Sequence, residues 1–299
     1  MKFGKVEHPE IIDFSLPDTH PNTIIVLNSR KYKMKQQNVY IGFAKWNRSD
    51  LKGFYPQGIK DELQYYSSQF NSIELNATFY KSYSADQFTK WRCKTPKNFK
   101  FFPKLTQEIS HWKRLEGVQD SVNDFLFKVQ YLGEKLGTIF LQLNENFRHD
   151  NFKRIETFIN NWPKEIKFAI EVRHPNWFSD QKLYNEYTAL LRDNNIANII
   201  VDTAGRRDML HMNLTSNEAF IRYVGSNHSS DYDRLDNWVL RLKKWKDLGL
   251  KNIHFFIHQN LEEESALLAS YFTKKINKNL EFSLKIPDLK KESSQMTLF

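Results

Sequence analysis

SIELNATFYKSYSADQFTKWRCKTPKNFKFFPKL, residues 72–105, decides the fold. A β-rich run, SIELNATFY (72–80), gives way to a helical pattern, SADQFTKWRCK (84–94), and then to a second β-rich run, FKFFPKL (99–105). Strands that alternate with helices imply βαβ units and a parallel sheet. The same alternation extends in both directions. Upstream lie VYIGFAKW (39–46) and the helical KDELQYYSSQF (60–70). Downstream, helical VNDFLFKVQYLGEKL leads to GTIFLQL, NFKRIETFINNW to IKFAIEVRH, and DQKLYNEYTALLRDNN to ANIIVD. EAFIRYVG, helical DRLDNWVLRLKKWKDLG, KNIHFFIHQN and helical EEESALLASYFTKKIN complete the series.

Eight β-rich runs within about 240 residues match an α/β protein of the (β/α)8 TIM-like barrel class, with a doubly wound open sheet as the alternative. Residues 1–38 read as an N-terminal extension packing on the barrel, 39–283 as the barrel, and 284–299 as a C-terminal tail. No helical pattern follows the sixth run. TAGRRDMLHMNLTSN (203–217) stands there as a long loop, and long loops inside compact domains are usually functional.

Composition sets the outer limits. The chain has 299 residues, 40% of them hydrophobic and 26% charged, enough for a substantial core and unlike a disordered chain. One cysteine, Cys93, rules out an internal disulfide and a zinc ribbon, and fits a cytoplasmic location. No apolar run approaches the roughly 20 residues that cross a bilayer, and no signal peptide or membrane partner is expected. The net charge of +9 favours a polyanionic partner, a phosphorylated small molecule or nucleic acid. The lysines are scattered, however, so a solvated surface explains much of the excess.

In a barrel the chemistry is built at the C-terminal ends of the strands. Glu74, Asn76 and Thr78 alternate onto one face of the second run. The third ends at Lys104 and leads to His111, the fourth ends at Gln142, and the fifth ends Glu171-Val172-Arg173-His174. The sixth ends at Asp202, the seventh carries Arg222, and the eighth ends in His258, Gln259 and Asn260. Burying so many polar groups demands a cavity, water or a ligand. They therefore mark a polar binding site, although each alone could be an ion pair or a core hydrogen bond.

Glu74 or Glu171 is the candidate general base and His111 or His174 the acid. Lys104 could form a Schiff base if desolvated, but an ion-paired lysine is the expected state. The loops after the sixth and seventh runs add Arg206, Arg207, Asp208, His211 and the Gly-Ser-Asn segment with His228. Arg206, Arg207 and Arg222 with the Gly-Ser-Asn segment are expected to hold phosphate, the competing reading being a salt-bridged turn in which Asp208 neutralises its neighbours. No H-x-H or H-E-x-x-H spacing occurs, so a metal is not favoured and no cofactor is named. A non-catalytic nucleic-acid-associated factor is the alternative to an enzyme, and a small-molecule-binding barrel is a third reading.

The stretch FYPQGIKDELQYYSSQFNSIELNATFY, the elements TPKNFKFFPKLTQEISH and LGTIFLQL, and IEVRHPNWF and IRYVG resemble the YecE-like family, domain of unknown function 72. The resemblance covers roughly residues 39–275 and implies a TIM-barrel-like fold. The family's Glu-x-Asn-x-Thr-Phe-Tyr strand is matched by Glu74, Asn76, Thr78, Phe79 and Tyr80. Its Lys and Ile-Thr-His elements are matched by Lys104 and His111, with Ser110 replacing threonine. Its Glu-x-Arg-His strand is matched by Glu171, Arg173 and His174. The first strand departs from the family's Gly-Trp ending (GFAKW here), and the last carries HQN in place of paired asparagines. The final QMTLF resembles the peptide by which bacterial repair and replication proteins dock on the DNA sliding clamp. In that reading Met296, Leu298 and Phe299 fill apolar pockets and the Gln295 amide bonds at the edge; the competing reading tucks Leu298 and Phe299 onto the barrel.

Overall fold

The computed structural model describes residues 4–30, 37–259, 261 and 264–288. The clamp-like residues Gln295, Met296, Leu298 and Phe299 lie outside the described residues, as does Asn260. The strands are β1 (Asn38–Phe43), β2 (Ser72–Leu75), β3 (Lys100–Pro103), β4 (Ile139–Gln142), β5 (Phe168–Glu171), β6 (Ala197–Asn198), β7 (Ile200–Asp202), β8 (Glu218–Gly225) and β9 (Asn252–Gln259). The helices are α1 (Pro21–Arg30), α2 (Glu62–Gln69), α3 (Ala77–Tyr80), α4 (Ala85–Lys94), α5 (Gln119–Val129), α6 (Phe152–Asn160), α7 (Asn176–Ser179), α8 (Gln181–Asp193), α9 (Ser230–Leu248) and α10 (Ser265–Leu280).

One six-stranded sheet has the order β3-β2-β1-β9-β8-β7, and a three-stranded sheet the order β4-β5-β6. Each described strand pair is parallel. Isolated parallel bridges Phe101↔Leu136 and Lys104↔Phe140 join the edge β3 to the segment that carries β4. At the other seam Ile199 alone separates β6 from β7, which the sequence reads as one run. Helix starts follow ordinary capping: the Asp61, Ser84 and Asp180 side chains accept from backbone amides in the first turns of α2, α4 and α8. Gly249 closes α9 in the left-handed region, at φ 118°. Gly42 lets β1 approach β2, since a Cβ there would sit 2.2 Å from the Ser72 carbonyl oxygen.

Period-two alternation sorts the strand residues into two sets. Ile73, Leu75, Phe101, Leu141, Ile170, Ile221 and Phe255 pack in the large cluster that includes the helix residues. Phe102, Phe140, Ala169, Val201, Phe220 and Phe256 form a separate cluster from the opposite strand faces. Two residues beyond members of that inner cluster, on the same faces, stand Lys104, Gln142, Glu171, Arg222 and His258. An apolar layer therefore supports a polar one at the strands' C-terminal ends. At the other end, Glu218 bonds Thr138, Asn252 and His254, and pairs with Lys167.

No helix joins β7 to β8; residues 203–217 form a loop with one short 3-10 turn. The N-terminal segment fills the gap. Thr23 of α1 donates its hydroxyl to the Met212 carbonyl (2.8 Å) and accepts from the Leu214 amide (2.8 Å). Leu27 is fully buried, the His20 ring meets Tyr184 of α8, and Trp245 of α9 donates to Thr19. Thus the segment leading into α1 meets α8, and α1 itself packs on α9 and bonds the loop that joins β7 to β8.

The second run departs from the sequence expectation. β2 stops at Leu75, Asn76 adopts helical angles, and residues 77–80 form the short α3. Thr78 is therefore not on the Glu74 face; its hydroxyl lies 2.8 Å from the Leu75 carbonyl and 2.7 Å from that of Lys104. Local side-chain bonds to the backbone outcompete strand extension here.

Candidate functional site

At the C-terminal ends of the strands a cavity of about 640 Å³ opens between the β1–α2 loop, α3 and the ends of β3, β4, β5, β8 and β9. Asn76, Tyr80, Lys104, His111, Gln142, Arg173, Arg222 and His258 line it, and all eight were singled out in the sequence. The sequence reading missed Lys45, Trp46, Asn47 and Asp50 of the first loop, Phe79, and, as a contact in its own right, Gln259. The GFAKW departure from Gly-Trp was the available signal for the first group. A smaller cavity of about 330 Å³ lies apart, against α4 and α5.

Arg222 organises the floor. Its Nε and Nη2 donate to the two oxygens of Glu74 (3.0 and 2.9 Å), and its Nη1 donates to Glu171 (2.7 Å). His258 Nε2 lies 3.1 Å from Glu74, and the Asn76 amide donates to Glu74 at 2.7 Å. Glu171 also accepts from Gln142 (3.0 Å) and Arg173 (2.5 Å). Both carboxylates are fully buried. Burial alone would raise their pKa values, but it is outweighed. Arg222 and His258 hold Glu74 well below the usual carboxylate range, and Arg173 and Arg222 bring Glu171 down to about 2. A carboxylate so placed is a poor proton acceptor near neutral pH. Glu74 and Glu171 form the cavity's foundation and are not among the residues that line it, contrary to the expectation that they face its solvent.

Lys104 differs. It is 6% exposed, its Nζ donates to Gln142 Oε1 (2.7 Å), and its ammonium lies 3.9 Å from the Phe79 ring centroid. Among the described residues no carboxylate pairs with it, contrary to the expected ion pair, because Arg222 and Arg173 hold the nearby ones. Burial, reinforced by repulsion from Arg222 and Arg173, lowers its pKa to about 7. His111 packs edge-on to the same Phe79 ring, with Nδ1 2.9 Å from Ser110 Oγ. Burial, then Lys104 and Arg173, lower its pKa to about 4, so the imidazole is neutral at pH 7.

The remaining candidates do not join this group. Arg206 forks onto Asp208 (2.9 and 2.7 Å) and reaches the Arg173 carbonyl. Arg207 pairs with Asp202 (2.5 Å), which also accepts from Arg234 and Trp238. With Arg222 committed to the floor, the three arginines do not converge on a phosphate position. The Gly-Ser-Asn loop is occupied from within: Asp231 accepts from the Ser226 and His228 amides. His228 bonds Ser230, His211 bonds the Ile199 carbonyl and the Asn213 amide, and His174 accepts from the Asn176 amide. Each of these contacts is made to the protein's own loops and turns. Among the described residues no group of three or more His, Cys, Asp or Glu is arranged to hold a metal ion, and no helix is long and apolar enough to cross a membrane.

Comparison with known proteins places this geometry in a family. Residues 40–292 match the family described as "Protein of unknown function DUF72". The UPF0759 protein YecE of Escherichia coli K12 is 24% identical over 278 residues, covering 86% of this chain and 99% of its own. The UPF0759 protein YunF of Bacillus subtilis 168 is 33% identical over 153 residues, 47% of this chain and 52% of its own. A crystal structure of a DUF72 family protein from Enterococcus faecalis V583 superposes with a TM-score of 0.65 at 17% identity, covering 84% of this chain and all of that one. The chain belongs to the YecE-like DUF72 family.

Proposed function

We propose that this protein is an enzyme that binds a small, polar, anionic substrate in the 640 Å³ cavity and transfers protons there through Lys104 and His111. One observation carries the reading: Arg222 engages both inner carboxylates, while Lys104 and His111 border the cavity beside Arg173. A lysine with a pKa of about 7 supplies a neutral amine as a base at physiological pH. A neutral imidazole offers one donor and one acceptor and can pass a proton in either direction. Arg173, assisted by the Arg222 field, suits a phosphate or carboxylate. Tyr80, 72% exposed, and part-buried Trp46 offer apolar faces at the rim for a planar group, which suits a phosphorylated or nucleic-acid-derived molecule.

In the same reading the two sheets close into a (β/α)8 barrel through the Lys104↔Phe140 bridge and the continuity across Ile199. The lone cysteine is in keeping with a cytoplasmic setting. A thermal-unfolding titration with inorganic phosphate and with succinate tests the binding. A ligand at about 100 times its Kd adds about 2.7 kcal/mol of stability. Wild-type protein is expected to be stabilised by at least one of these anions and Arg173→Gln by neither; a wild type that responds to neither sinks the reading.

A further inference from the structure

We propose that Lys104 is a covalent catalyst whose Nζ forms an imine with an aldehyde or ketone substrate bearing an acidic group, which Arg173 holds. This deepens the function proposed above and rests on it, because it takes the same cavity as the substrate site.

The geometry points to the amine's being kept for bond formation. Lys104 directly follows β3, its amide bonded to the Leu75 carbonyl and its own carbonyl 2.7 Å from the Thr78 hydroxyl, so the base of the side chain is fixed. Its nitrogen reaches the cavity with an amide oxygen and an aromatic face as neighbours. A structural lysine buried this deeply is normally paired with a carboxylate. Here two carboxylates lie close by and both are bound to guanidinium groups. Desolvation beside other cations is the setting that turns a lysine into a nucleophile. Asn76 and Gln259 also line the cavity. Asn76 Oδ1 and Gln259 Nε2 are buried and have no partner among the described residues, while the other amide atom of Gln259 accepts from the Glu264 amide. Leaving such groups unmatched is costly, and a substrate oxygen that reached either would remove that cost.

The step balances without any redox partner. The neutral amine's lone pair attacks the carbonyl carbon, forming the N–C bond while the carbonyl oxygen takes a proton. The resulting carbinolamine loses that oxygen as water after a second proton transfer, and nitrogen gives up its protons to form the C=N bond. His111, on the same Phe79 ring, is placed to move these protons.

Reductive trapping on the full-length protein tests the inference. Glyoxylate and dihydroxyacetone phosphate serve as acidic carbonyl probes, glycolaldehyde as a neutral one, and cyanoborohydride reduces any imine to a stable secondary amine. Trypsin does not cut after an alkylated lysine, so the adduct leaves residues 101–113 as one peptide for mass spectrometry. With at least one acidic probe, Lys104 is expected to label about tenfold or more faster than surface lysines at pH 7, because a larger fraction of it is neutral. The rate should rise through about pH 7. It should drop about tenfold with glycolaldehyde or in Arg173→Gln. Labelling of Lys104 no faster than surface lysines with every probe overturns the imine. If phosphate or succinate still stabilises the wild type in that case, the binding site stands and the covalent step falls; if neither does, both fall.

Discussion

Replacing Lys104 by methionine should make the protein more stable at low pH and progressively less so at high pH. The size follows from the environment. The ammonium titrates at about 7 in the folded chain against an ordinary value of 10.5, because burial and two guanidiniums disfavour its charge. A lysine whose folded pKa is lowered destabilises the fold fully below that pKa, where both states are protonated but only the folded one bears a buried charge. The penalty fades as pH rises from about 7 toward 10.5, where the folded state has shed its proton and the unfolded state still binds one. The full shift corresponds to about 5 kcal/mol at roughly 1.4 kcal/mol per unit. Between about pH 6 and about pH 9.5 the wild type should gain about 3 kcal/mol of unfolding free energy from this group. Methionine retains much of the packing against Phe79 but leaves Gln142 Oε1 unmatched, a pH-independent loss of about 1–3 kcal/mol. The decisive quantity is therefore the change in the mutant-minus-wild-type difference with pH. Urea unfolding of both proteins at the two pH values measures it; the titrating groups that Lys104 does not perturb cancel, and the His111 contribution at pH 6 is under about 1 kcal/mol. A difference that stays constant within about 1 kcal/mol would refute a desolvated Lys104, and with it the amine's role as a base at neutral pH.

Arg222→Gln should destabilise by about 3–5 kcal/mol in chemical denaturation, because it strands two buried carboxylates; a near-neutral result would mean that water reaches them. Arg206→Ala combined with Arg207→Ala should leave phosphate stabilisation unchanged, since Asp208 and Asp202 already hold these guanidiniums, and a lost response would restore the loop as an anion site. The QMTLF tail is a separate proposal: a labelled Ser293–Phe299 peptide should bind the cognate sliding clamp with micromolar-order affinity by fluorescence polarisation and lose it with Leu298→Ala and Phe299→Ala. No binding by either the peptide or the full chain would retire it.

The two periods of the sequence, near 3.6 in the helices and 2 in the strands, carry the fold, and strand parity explains why much of the site was legible as well. Once the strands are placed, alternation carries Lys104, Gln142, Arg222 and His258 to one end and one side, and these four line the cavity. Parity fails where a strand stops. Asn76 turns helical, so Phe79 enters the site, Thr78 leaves the Glu74 face, and no alternation rule announces either change. Loop residues such as Asp50 were similarly hidden, because a loop side chain's direction depends on contacts distant in sequence.

Which charge pairs with which is the harder problem. Glu74 and Arg222 are 148 positions apart, and Asp202 and Arg234 are 32 apart. Sequence proximity suggested instead that Arg206, Arg207 and Arg222 share an anion. In the fold Arg207 and Arg222 are claimed by buried carboxylates and Arg206 by its exposed neighbour Asp208, since an unpaired buried charge costs several kcal/mol whereas an anion from solution must first give up its own hydration. Once those pairings are made, the groups left bordering the cavity without a carboxylate partner, Lys104 among them, are the ones with chemistry still to do. Glutamates at strand ends look like bases in a sequence, yet here they hold the arginines whose charge, added to burial, lowers the Lys104 pKa to about 7.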